Sequence, residues 1–290
     1  MSDRVVAVLG RGVVDPAAPI ARGDDLGLTR GDGVFESLRT RAGRPFLLTE
    51  HLDRMRRSAA RMALPAPPPQ QWAELVDDAL AAFGAEDGAL RLFTTRGPDG
   101  EESPLHFLML APVPQSSINQ RTHGTSAITL NIGISSATRA EAPWLLGGVK
   151  TTSYAVAMAA KREAESRGAS DAIWLSSEGE ILEEATSSVV WVRAGAAYTV
   201  PVETGILPGT TYAFVRALAA DLGVEFNERR SMVDDLRTAD EAMLLSSVRC
   251  VAPLRTLDGR PVGDGEIGPV TRQVRDAVEA AVTAATAEGA

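Results

Sequence analysis

Residues 144–154 read Trp144-Leu145-Leu146-Gly147-Gly148-Val149-Lys150-Thr151-Thr152-Ser153-Tyr154. A lysine is almost always a solvated surface charge. Here it ends a run of apolar and small residues and precedes a Thr/Thr/Ser helix start. A lysine in that setting is desolvated, which suits the neutral, nucleophilic amine of Schiff-base chemistry. The string Gly-Gly-Val-Lys-Thr is not a phosphate-binding loop of the Walker type, because no glycine directly precedes the lysine.

Working outward from Lys150, the pattern predicts a helix over Ser153–Arg167 that ends at Gly168, a good C′ glycine. Strands Asp171–Ser176 and Ser188–Val192 bracket the turn Ser177–Gly179 and the short segment Ile181–Glu183. A helix opens at Gly209-Thr210-Thr211 and stops before Gly223. A strand near Ala242–Ser246 and a helix from Pro269 follow. Upstream lies a strand, Ser126–Ile132, and before it Ala111–Thr122, with two prolines, polar residues and no period.

The first third alternates strands and helices. Val5–Leu9, Val34–Thr40, Leu90–Thr95 and Leu105–Leu110 are of strand type. After Thr49, a plausible N-cap, Leu52, Met55, Ala59 and Met62 line one face of a helix that stops before Pro65. A second helix bears Trp72, Leu75, Val76, Ala79, Leu80 and Phe83. The expected organisation is an N-terminal α/β subdomain over 1–113, a linker over 114–122 and a C-terminal subdomain over 123–290. Two subdomains agree with a length of 290 residues, beyond the roughly 100–200 of one domain.

Bulk composition narrows the function. A formal charge of −9 disfavours nucleic acid and anionic membrane surfaces as partners. One cysteine forbids an intrachain disulfide and points to a reducing compartment, so a cytoplasmic location is expected. Three histidines and one cysteine are too few for the usual zinc site, and no metal is expected. The start lacks a signal-peptide pattern, and no run approaches ~18 apolar residues. The tripeptides Arg22-Gly23-Asp24 and Arg30-Gly31-Asp32 read as chance in such a protein.

Other candidate groups are individually weak. The Gly209-Thr210-Thr211 turn offers helix N–H groups and two hydroxyls, a competent phosphate cradle, yet most such turns only cap helices. Glu183 and Glu184 are either a solvated pair or a carboxylate for a pyridine nitrogen. Arg54 is either a surface arginine or a phosphate partner.

Together these landmarks resemble the class IV aminotransferases, the fold-type IV pyridoxal 5'-phosphate (PLP) enzymes. The resemblance runs nearly end to end through Arg30-Gly31-Asp32-Gly33-Val34-Phe35-Glu36, Glu50-His51-Leu52-Asp53-Arg54 and Lys150-Thr151-Thr152-Ser153-Tyr154. It continues through Gly179-Glu180-Ile181-Leu182-Glu183, Leu207-Pro208-Gly209-Thr210-Thr211 and Leu245-Ser246-Ser247-Val248. The resemblance implies a mixed α/β, two-subdomain fold of the D-amino acid aminotransferase type, with PLP bound mainly by the C-terminal subdomain. It makes Lys150 the Schiff-base lysine, Glu183 the partner of the pyridine nitrogen and Arg54 a phosphate ligand. Thr210 and Thr211 become phosphate donors, Tyr154 the partner of the ring hydroxyl, and Ser247 with Val248 a turn whose amides contact phosphate or a substrate carboxylate. Val248 and Ser188 stand where threonine and asparagine are frequent. Arg91 or Arg96 is expected to bind a substrate carboxylate, and a homodimer is implied.

Within the family the chain looks most like the 4-amino-4-deoxychorismate lyases, which make 4-aminobenzoate and pyruvate. The alternative is an aminotransferase of branched-chain or D-amino acid type. A non-catalytic PLP-binding protein is disfavoured by the presence of both Lys150 and Glu183.

Overall fold

The structure is a computed structural model that describes residues 4–287. It divides into two compact units.

The first unit is built on a six-stranded antiparallel sheet. Its strands are β1 (Val5–Val8), β2 (Gly12–Val14), β3 (Gly33–Arg41), β4 (Arg44–Pro45), β5 (Gly88–Thr95) and β6 (Leu105–Pro112), in the order β2-β1-β6-β5-β3-β4. Leu38, Leu90, Leu92, Leu108 and Leu110 are fully buried. Along the same strands they alternate with the half-buried Phe35, Ser37, Arg91, Phe93, Phe107 and Met109. That period of two separates a core face from an open one. The core face is covered by α2 (Leu48–Arg61) and α3 (Pro69–Phe83), while the short α1 (Leu26–Arg30) leads into β3. Trp72, Leu75, Val76, Ala79 and Leu80 are all buried, as their helical spacing requires. The larger of these side chains each contribute about 2 kcal/mol of burial, and Ala79 less.

Thr49 does not cap α2. It lies inside the helix, and the N-cap is Leu47, in the left-handed region at φ 58° and without a side-chain cap bond.

The second unit opens with α4 (Gln115–His123) and is built on a nine-stranded mixed sheet. Its strands are β7 (Thr125–Asn131), β8 (Asp171–Leu175), β9 (Ile181–Glu184), β10 (Ser188–Arg193), β11 (Ala196–Thr199), β12 (Phe226–Glu228), β13 (Glu241–Ser246), β14 (Cys250–Leu257) and β15 (Arg260–Pro261). The order is β12-β11-β10-β13-β14-β7-β8-β9, with β15 on β14. The β7–β8, β7–β14 and β11–β12 pairs are parallel. A tight turn from Glu184 to Ser187 brings β9 against β10, so the sheet curls. Trp191, Ile173, Ile181, Leu182, Leu236 and Leu244 form its core. Around it run α5 (Ser136–Glu141), α6 (Ala155–Ser166), α7 (Thr210–Ala217), α8 (Ala219–Leu222), α9 (Val233–Arg237) and the first part of α10 (Pro269–Ala287), whose residues from Ala281 onward group with the first unit and not, as expected, with the C-terminal one. Among the described residues no helix is long and apolar enough to cross a membrane.

Two local expectations are corrected. Residues 115–122, expected as linker, lie in α4, whose nine residues include none that is buried. The segment Val149–Tyr154 belongs to the first unit, not to the C-terminal one. It is held there by backbone bonds to β3 around one isolated bridge. Phe35 N–H donates to Lys150 O at 3.0 Å and Thr152 N–H to Gly33 O at 2.8 Å, and Thr151 bridges Val34. The hydroxyls of Thr152 and Ser153 each donate to Gly31 O at 2.9 Å. Gly31 sits at φ 69°, and a Cβ there would fall 2.5 Å from Ser153 Oγ, so this approach requires glycine. Helix α6 consequently starts at Ala155 rather than Ser153.

Candidate active site

Lys150, Tyr154, Arg54, Arg91 and Arg96 lie in the first unit; Glu183, Thr210, Thr211, Ser247 and Val248 lie in the second.

Lys150 is 8% exposed. Its strand-like segment is pinned by backbone bonds on both sides and by its own N–H, which donates to Ser58 Oγ at 3.2 Å. The side chain lies on the open face of the sheet. Nζ sits 4.4 Å from the Phe35 ring centroid and donates to Tyr154 Oη at 3.2 Å. The Tyr154 ring meets Phe35 edge-on, with centroids 5.0 Å apart. Phe35, Phe93 and Phe107 stack in register across β3, β5 and β6. The structure thus brings Lys150 and Tyr154 together beside an aromatic ladder, an amine in apolar surroundings with one oriented hydroxyl.

Arg54 is buried on α2, where its guanidinium grips Glu36 on β3. Nε and Nη2 each donate to a Glu36 oxygen at 2.7 Å. His51, one turn earlier, places Nδ1 2.7 Å from Glu36 Oε2. Burial pushes the Glu36 carboxyl up, but the Arg54 charge, its two hydrogen bonds and the His51 contact outweigh it and hold the group at about 2. Burial pushes His51 below its usual range, so a neutral ring donating through Nδ1 fits the geometry. Neither Glu36 nor His51 was singled out by residue type. The signal available was their position on the strand and helix that carry Arg54, with His51 and Arg54 three residues apart on one helical face.

Arg91 lies on β5 beside Phe93 in alternation, on the face that carries Phe35. Arg96 differs: Nε reaches Asp32 Oδ2 at 2.6 Å, and Nη2 donates to Asp32 Oδ1 at 3.2 Å and Met62 O at 2.8 Å. Its fork is committed to holding a loop.

In the second unit Glu183 and Glu184 point opposite ways from β9. Glu183 Oε2 accepts Leu207 N–H at 3.0 Å, and Oε1 accepts Nη2 of Arg139, a residue the sequence pattern did not single out. Glu184 turns inward to Arg249 Nη2 at 2.9 Å. Arg249 Nη1 also holds Asp171, at 2.9 and 3.0 Å. Burial pushes Glu184 up, with Asp171 adding to it, against the pull of Arg249.

Helix α7 begins at Thr210 with Gly209 as N-cap and no side-chain cap bond. Thr210 Oγ1 and Thr211 Oγ1 lie 3.3 and 3.5 Å from Ser247 Oγ, on the turn that Val248 shares. A Cβ on Gly209 would lie 2.4 Å from Ser188 Oγ. Three hydroxyls converge on a helix N-terminus whose N-cap glycine leaves room for the Ser188 side chain. This donor set fits a phosphate dianion. Val248 O accepts Arg121 Nη2 at 2.9 Å, which orients the turn.

Comparison with known proteins agrees with this chemistry. The family Amino-transferase class IV matches residues 33–257. A Mycobacterium tuberculosis protein named bifunctional aminodeoxychorismate lyase / D-amino acid transaminase is 38% identical over 283 residues, 94% of this chain and 98% of that one. D-alanine aminotransferase of Staphylococcus haemolyticus is 30% identical, over 87% of this chain and 89% of its own. A PLP-bound structure described as a hypothetical aminotransferase from M. tuberculosis superposes with a TM-score of 0.91 at 37% identity, covering 97% of this chain and 99% of that one. The chain belongs to the class IV aminotransferase family of mixed α/β fold-type IV enzymes, whose cofactor is pyridoxal 5'-phosphate.

Proposed function

We propose that this chain is a PLP-dependent 4-amino-4-deoxychorismate lyase that releases 4-aminobenzoate and pyruvate, acting as a cytoplasmic homodimer. The observation that carries the reading is its end-to-end similarity to a protein named for that lyase activity. The same protein is also named a D-amino acid transaminase, and D-alanine aminotransferases are similar over most of the chain, which favours a D-amino acid aminotransferase as the second reading.

When bound, PLP supplies an electron sink for the bonding pair released beside the substrate amine. The chain's own groups do the rest. Lys150 Nζ would hold the cofactor, and as a free amine it would take a proton from the substrate as general base and return it. Tyr154 Oη and the Phe35 face keep that amine directed between transfers. Glu183 is assigned to the pyridine nitrogen, and its carboxylate is aimed by Leu207 N–H. Thr210, Thr211, Ser247 and the Val248 amide, with Arg54, are assigned to the phosphate. Arg91 is assigned to a substrate carboxylate in preference to Arg96, which already holds Asp32. Formation of an aromatic ring drives the loss of pyruvate.

The test is an assay of the pure protein with aminodeoxychorismate and, separately, with D-alanine or a branched-chain amino acid plus 2-oxoglutarate. Aminobenzoate and pyruvate in the first reaction are expected. Their absence, with keto acid in the second, moves the assignment to aminotransferase.

A further inference from the structure

Arg139 is built into the second unit with unusual care. Helix α5 places it, and that helix is capped by Ser135, whose side chain accepts Thr138 N–H at 3.0 Å. Arg139 Nε donates to Gly205 O at 3.0 Å, which fixes the guanidinium and turns Nη2 onto Glu183 Oε1. Two glycines make room for it. A Cβ on Gly147 would lie 2.5 Å from Arg139 O and 3.2 Å from its Cγ. Gly205, at φ 79°, would bring a Cβ within 2.9 Å of the same Cγ. The side chains of Arg139 and Glu183 are 18% and 14% exposed, so water screens their pairing only in part.

A carboxylate has about four lone-pair sites. Arg139 and Leu207 N–H donate to different Glu183 oxygens, and a protonated pyridine nitrogen would be a further donor to the same carboxylate. That donor then shares one negative charge with a guanidinium. We propose that Arg139 is a positioning residue that aims the Glu183 carboxylate and offsets part of its charge, so that the pyridine nitrogen of PLP holds its proton less tightly than a bare carboxylate would make it. This rests on Glu183 being the partner of that nitrogen. Arg139 thereby sets how strong an electron sink the cofactor is. At an effective dielectric of about 20, removing one charge several ångströms away changes proton affinity by about tenfold or more, roughly one pH unit.

The experiment loads wild type, Arg139→Met, Arg139→Lys and Glu183→Gln with PLP labelled with 15N in the ring, and follows the ring 15N shift against pH by NMR. In Arg139→Met the ring proton persists to a pH about one unit higher than in wild type. Arg139→Lys restores the charge and titrates near wild type, whereas Glu183→Gln loses the ring proton at lower pH. If Glu183→Gln moves the titration and Arg139→Met does not, the role of Arg139 is overturned and the Glu183 assignment stands. If Glu183→Gln leaves it unmoved, that assignment falls and this inference with it. Equal loss of cofactor from Arg139→Met and Arg139→Lys, with an unaltered titration in the fraction still loaded, makes Arg139 merely structural and also overturns the inference. Arg139→Gln, which keeps a donor without the charge, supplies the same comparison should Arg139→Met not fold.

Discussion

The ε-amine of Lys150 and the carboxylate of Glu36 lie on opposite faces of one sheet and show two ways in which a single buried group acts. Lys150 is assigned both the covalent hold on the cofactor and the proton shuttle, so Lys150→Ala removes two functions at once. The expected outcome is loss of the cofactor's visible absorbance band and a fall in turnover on the order of 10³-fold or more. Substantial turnover in that variant ends the assignment. Glu36 acts through Arg54 and His51. Its carboxyl is held at about 2 in the fold, below an ordinary 4.5. The stability this contributes is present above about pH 4.5 and is lost as pH falls towards about 2, and it amounts to about 3 kcal/mol near neutral pH. Glu36→Gln is therefore expected to lower the urea midpoint at pH 7, with the gap to wild type narrowing below about pH 4.5. A gap independent of pH would mean that Glu36 contributes by packing alone.

At the scale of elements, the turn between β13 and β14 and the strand β9 are tied by one guanidinium. Arg249 holds Glu184 from β9 and Asp171 from β8, three buried charged groups with two negatives to one positive. Burial raises the Glu184 carboxyl above its ordinary 4.5, and the nearby Asp171 adds to this. A raised carboxyl opposes folding increasingly as pH climbs from about 4.5 through the raised value. Compared with wild type, Glu184→Gln is expected to gain in melting temperature as pH rises across that window, whatever its offset from losing the ion pair to Arg249. Parallel melting-temperature curves for the two proteins would refute the raised value. The same elements show what a sequence can carry. Helix α3 was legible because Trp72, Leu75, Val76, Ala79 and Leu80 repeat at helical spacing over a core. Helix α4 was not, because a helix that buries no side chain has no apolar period. Lys150 stands out by its neighbours, whereas Thr210 and Glu183 are individually weak signals whose assigned roles come from the resemblance. The ion pairs of Glu36 with Arg54 and of Arg139 with Glu183 were not, since each depends on a register between distant strands and helices that no local pattern encodes.

For the molecule as a whole, the open question is what covers its exposed apolar side chains. Helix α5 packs against the turn Pro143–Leu145 and against the turn Val202–Thr204. On those turns Trp144 is 80% exposed, Leu145 37% and Val202 43%. Isolated exposed apolar residues need no explanation, but a tryptophan, a leucine and a valine around one short helix form a patch of the kind that marks an interface. The proposed homodimer supplies a second copy as the cover. The patch also adjoins the helix that carries Arg139, so ordering it would steady the Glu183 carboxylate. At micromolar concentration, light scattering is expected to give about 61 kDa, twice the 30.6 kDa of the chain. Trp144→Asp places a charge where burial is expected, and burying an unpaired charge costs several kcal/mol. It should shift the mass toward the monomer and reduce turnover together, with the circular dichroism of the fold retained. A wild-type monomer with full activity would refute the homodimer; a Trp144→Asp protein that stays dimeric would remove this patch from the interface.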